Sequence, residues 1–96
     1  MSDTTMMQVI NPRTGSVCAT VPACSAAKTL AAIQDARAAQ AAWAARTVVE
    51  RAKILMRIHD AVLQHRDELL DIIQLETGKN RASALDEVMD VAINAR

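Results

Sequence analysis

Apolar and polar positions alternate in two styles along this chain, and the change between them divides it. Near the N-terminus, "MMQVI" and "SVCATV" are short β-prone runs separated by "NPRTG", where Asn11-Pro12 and Gly15 supply turn chemistry. They predict a β hairpin ending at Pro22, counted from Gln8 after a tail over residues 1–7. From Ser25 the spacing becomes helical. Ser25 caps a first helix running to about Ala45, with Leu30, Ile33, Ala36 and Trp43 on its apolar side. Thr47 and Glu50 form a capping box for a second helix, whose stripe is Ile54, Leu55, Ile58 and Val62.

Around "QHRDEL" the stripe shifts to Leu69, Leu70, Ile72 and Ile73, which predicts a break and a third helix ending at Thr77 with Gly78 in a left-handed cap. The last helix is expected to begin near Ser83, with Asp86 and Glu87 in its first turn. It is expected to bury Leu85, Val88, Met89, Ala92 and Ile93. No stop signal precedes Arg96, so the helical pattern is expected to continue past the residues given. The fold class is therefore mainly α with an N-terminal β hairpin, the helical part covering residues 25–96.

Composition changes this picture in one respect. Although 51% of the 96 residues are hydrophobic, many are alanine, and Trp43 is the only aromatic. Such a chain builds a thin core, because alanine contributes little of the roughly 1.5–3 kcal/mol that a buried large aliphatic side chain supplies. Its apolar faces should need covering by more protein. The formal net charge of zero gives no electrostatic case for nucleic acid or an anionic membrane. "MSDTTMMQV" lacks a basic region followed by an apolar run, so a cytoplasmic location with reduced thiols is the expectation.

Candidate chemistry is sparse. Gly15 and Gly78 are too far apart for a dinucleotide or phosphate-binding glycine loop. Cys18 reads as a small buried hydrophobe in a strand, and Cys24 stands nearer a helix N-terminus without matching a redox pair. His59 and His65 fall on either side of the expected break at the wrong spacing for one metal face. Glu50, Arg51, Lys53, Arg57 and Asp60 read as a solvated face, with Glu50 available to Lys53. Glu76 is the exception. It places a carboxylate in the last turn of a helix, where the backbone already presents negative charge, and it is either a solvated surface residue or part of a site.

Taken in order, "INPRTGSVCATVP", "ARAAQAAWAARTVVERAKILMRIHDAVLQHRDELLDIIQLETGK" and "ALDEVMDVAINAR" resemble the N-terminal part of a nicotinamide-dependent aldehyde dehydrogenase, most nearly a succinate-semialdehyde dehydrogenase. The resemblance runs from about Gln8 to Arg96. It implies a partial N-terminal segment of an α/β fold that oxidises aldehydes to carboxylates with NAD or NADP through a cysteine nucleophile. In the resembled enzymes that cysteine, the general-base glutamate, the oxyanion-hole asparagine and the cofactor glycine loop all lie beyond these residues, so no catalytic or cofactor-binding residue and no bound cofactor are expected in this chain alone.

One site does map onto it. The resemblance implies a structural monovalent cation, Na+ or K+, held by the carbonyls of Val9 and Ile10 and by Glu76, hard oxygen ligands that suit such an ion. It also implies that the last helix lies along a substrate entrance, where the face containing Glu87, Asp90 and Asn94 meets substrate or solvent. The implied partner is the remainder of an aldehyde dehydrogenase polypeptide, or a second copy by self-association. The competing expectation is a non-catalytic helical interaction or dimerisation module.

Overall fold

A computed structural model describes residues 5–96 of the chain. Two strands, β1 (Met6–Ile10) and β2 (Val17–Pro22), precede four helices: α1 (Ala26–Ala45), α2 (Val48–Gln64), α3 (Arg66–Thr77) and α4 (Arg81–Asn94). The strands pair antiparallel, with Met6 opposite Pro22, Met7 opposite Val21 and Val9 opposite Ala19. Ile10 then pairs with Val17, so the register slips and leaves Cys18 as the extra residue of a bulge. The hairpin thus begins at Met6 rather than Gln8. The rest of the expected tail, residues 1–4, lies outside the described residues.

Local chemistry sets most helix ends. Ser25 Oγ accepts from the Lys28 amide at 3.2 Å and starts α1. Thr47 and Glu50 close the capping box reciprocally, at 3.1 and 3.0 Å, and start α2. A single residue, His65, separates α2 from α3. It closes α2 through its amide, 3.0 Å from the Ala61 carbonyl, and opens α3 by accepting from the Leu69 amide at 2.9 Å. Gly78 ends α3 at φ 72°, in the left-handed region where a Cβ would be strained.

The expected start of the last helix is corrected. Asn80 accepts from the Ser83 amide at 2.8 Å, so α4 starts at Arg81 and its first turn contains no acidic residue. Asn80 is as good a cap as serine, and it follows Gly78 closely enough to begin the helix at once. Asp86 and Glu87 therefore sit further along the helix.

The core lies where α4 crosses α2 and α3. Leu70, Ala84 and Val88 are buried together, with Val62, Leu69 and Ile73 packed on them, and Ala92 is buried further along α4. Of the residues expected inside α4, Val88 and Ala92 are buried. Leu85, Met89 and Ile93 instead remain 39%, 38% and 64% exposed. The inward stripe is Ala84, Val88 and Ala92, spaced four apart, because small side chains let α4 approach its neighbours closely while the larger ones cannot fit beneath it.

The remaining apolar surface has no partner among the described residues. Not one residue of α1 is buried, and Leu30 and Ile33 are 56% and 60% exposed. Its alanine-rich sequence makes the helix by propensity rather than by packing. The chain spreads over 49 × 42 × 15 Å, with a radius of gyration of 17.5 Å. A closed domain of this length would have about 12–13 Å. No helix of the described residues is long and apolar enough to cross a membrane.

Candidate functional site: the hairpin turn and the end of α3

Two independent pieces of local structure meet at one point. In the turn, the Asn11 side chain accepts from the Arg13 amide at 2.9 Å, and the Asn11 amide donates to the Ser16 carbonyl at 2.9 Å. Gly15, at φ 73°, completes the loop by donating to the Asn11 carbonyl at 2.8 Å. This conformation presents Pro12 and Arg13 outward. A Cβ built on Gly78 would lie 3.2 Å from Pro12 Cγ and 2.9 Å from Arg13 Cγ, so the turn rests directly on the glycine that ends α3.

The end of α3 is incompletely capped. The Thr77 hydroxyl donates to the Ile73 carbonyl at 2.6 Å, and the Gly78 amide donates to that of Gln74 at 2.9 Å. The Lys79 amide turns away to the Thr77 hydroxyl at 3.2 Å, and the Gln74 side chain donates to the Lys79 carbonyl at 3.3 Å. Among the described residues, the carbonyls of Leu75, Glu76 and Thr77 receive no hydrogen bond. Free carbonyls and the exposed Glu76 carboxylate leave concentrated negative charge at this helix end.

The expected donors lie in the two segments that flank this contact. Val9 and Ile10 lie at the end of β1, immediately before the turn, and Glu76 lies just before Gly78. What touches is Pro12 and Arg13 on Gly78, the residues that flank both halves of the donor set. The half-buried Val9 carbonyl also accepts from the Cys18 thiol at 3.3 Å. Cys18, expected to be buried, is only partly buried at the bulge, where its thiol is held by the neighbouring strand. Among the described residues, no group of three or more His, Cys, Asp or Glu side chains could hold a metal ion.

The other singled-out residues do not converge. His59, partly buried, contacts Asp60 at 3.1 Å, and the exposed His65 contacts Glu68 at 3.0 Å, each pair apart from the other. Glu50 is held by the Thr47 amide rather than by Lys53. Cys24 is exposed and free. On α4, Glu87 pairs with Lys79, while Asn94 donates to the Asp90 carbonyl at 2.8 Å. Arg81 bridges to Asp71 and to the Gln74 side chain, tying α4 back onto α3. These clamps and the Arg13 contact leave no mark in the sequence, because each joins residues from different segments with no local periodicity between them.

A family model described as the aldehyde dehydrogenase family matches residues 1–96. A protein of Mycolicibacterium smegmatis is 47% identical over 83 residues, which is 86% of this chain and 16% of that protein. One from Mycobacterium tuberculosis is 44% identical over 82 residues, 85% of this chain and 16% of its own length. One from Sinorhizobium fredii is 42% identical over 84 residues, 88% of this chain and 17% of its own length. All three carry, as provisional names, succinate-semialdehyde dehydrogenase (NADP(+)). This chain therefore spans about one sixth of the length of these relatives. No solved structure gives a significant match.

Proposed function

The chain belongs to the aldehyde dehydrogenase family, and from that membership we propose that it is the N-terminal segment of an NADP+-dependent enzyme that oxidises succinate semialdehyde to succinate. On this reading it is not catalytic alone. The observation that carries it is the combination of family identity with coverage of only 16% of the relatives' length. The exposed faces of α1, of the hairpin and of the first turns of α2 have the character of surfaces completed by further protein. The nicotinamide cofactor and the aldehyde would be handled by that further protein, in the cytoplasm.

In the same reading Val9, Ile10 and Glu76 belong to a structural monovalent-cation position. Their role is to tie the hairpin to the end of α3, and further ligands would come from the rest of the polypeptide. The cation would offset the negative helix end and the Glu76 carboxylate. Self-association is the second reading, favoured by an α1 with no buried residue, and sedimentation would detect it as a mass that grows with concentration.

The test is to replace the matching segment of the Mycolicibacterium smegmatis relative with this chain and follow NADPH formation from succinate semialdehyde. The chimera should turn over and the chain alone should not. Turnover by the chain alone, or a folded chimera with none, would overturn the proposal.

A further inference from the structure

We propose that the groove along the first half of α2, over Leu55, Ala52 and Val48, is filled by a helical continuation of α4 of about two turns; the proposal rests on the reading above that this chain is part of a longer dehydrogenase. α4 and α2 run in opposite directions. Val88 and Val91 of α4 line a cavity with Val62 near the end of α2, whereas Asn94, Ala95 and Arg96 line another with Ala52, Leu55, Met56 and Ile58. Each turn forward along α4 is thus a turn backward along α2. The hydrogen-bond ladder of α4 holds to the Ala95 amide, 3.0 Å from the Val91 carbonyl, which fixes that course as far as the groove.

Ahead on α2 lies an apolar stripe with nothing on it among the described residues. Val48, Ala52 and Leu55 are spaced four and three apart and share one face. Val48 is 71% and Leu55 49% exposed, and Ala52 is exposed between them. From Leu55 back to Val48 is about 10 Å of helix, the length that about two further turns of α4 would cover. The inward residues of α4 are Ala84, Val88 and Ala92, so the same spacing asks for small or aliphatic side chains at about the third and seventh positions past Arg96. A segment joined to Arg96 enters the groove already aligned and at high effective concentration, an advantage that a second copy of the chain lacks.

The test uses the chimera described above, in which the relative's own residues follow Arg96, with Ala52→Gln as the probe and Lys53→Gln as its control. Glutamine suits an exposed helix position, so both variants should leave the thermal melt of the isolated chain nearly unchanged. In the chimera Ala52→Gln should shorten the half-life of thermal inactivation by about tenfold or more, because it overfills the groove, whereas Lys53→Gln should change it less than about twofold. Failure of the Ala52→Gln chimera to fold beside a folded Lys53→Gln chimera would support the same crowding in its strongest form. Hydrogen exchange should show helical protection over about the first eight residues after Arg96. Rapid exchange there, or equal half-lives for the two variants, would overturn the proposal while leaving an active chimera and the dehydrogenase reading intact. An Ala52→Gln that destabilises the isolated chain as much as the chimera would overturn it too, by showing that α2 already buries this position. A folded but inactive unsubstituted chimera would overturn the reading itself and, with it, the proposal.

Discussion

Gly78 and Gly15 share nearly the same backbone, at φ 72° and 73°, yet their surroundings differ. A Cβ at Gly15 would meet nothing within 4 Å, whereas one at Gly78 would meet Arg13 and Pro12. Gly15→Ala should therefore cost about 1–2 kcal/mol, the left-handed penalty alone. Gly78→Ala should cost more, because the turn must also lift away. Denaturant melts of both variants measure the difference. The excess should shrink in an Arg13→Ala background, with a coupling of at least about 0.5 kcal/mol. The left-handed cap at Gly78 was legible in the sequence, since a glycine closing a helical stripe has few other uses. Its second duty was not, because a contact between a turn and a helix end leaves no trace in either segment's local pattern.

Among the elements, sequence reading succeeded where chemistry between near neighbours decides. The Ser25 and Thr47 caps, the break at His65 and the end of α3 at Thr77 all follow from residues within one turn of each other. It erred on α4, where Asn80 and Ser83 were both good caps and only the geometry leaving Gly78 selected Asn80. Asn80→Ala should destabilise the helical unit by about 1 kcal/mol, while Ser83→Ala should change stability by less than about 0.5 kcal/mol, as thermal melts would show. The inward face of α4 was misjudged for a related reason. Hydrophobicity favours Leu85, Met89 and Ile93, but close helix packing rewards small size, and that depends on the partner helices. Leu70→Ala should cost about 2–5 kcal/mol. In so thin a core this should abolish the cooperative unfolding transition of the α2–α4 unit measured by circular dichroism.

At the scale of the whole molecule, the mainly helical architecture and the N-terminal hairpin were legible, and so was the shortage of core, because alanine supplies helix without supplying burial. The open shape is its consequence: the chain extends 49 and 42 Å along two axes and only 15 Å along the third. Family membership explains such a shape if the faces of α1 and the hairpin are covered by the rest of an aldehyde dehydrogenase polypeptide. Amide hydrogen exchange along α1 tests that covering most directly, compared between the isolated chain and the chimera carrying it in place of the relative's matching segment. Ala26–Ala45 should exchange rapidly in the isolated chain and become strongly protected in the chimera. Equal protection of α1 in both would contradict it, as would rapid exchange in a folded, active chimera.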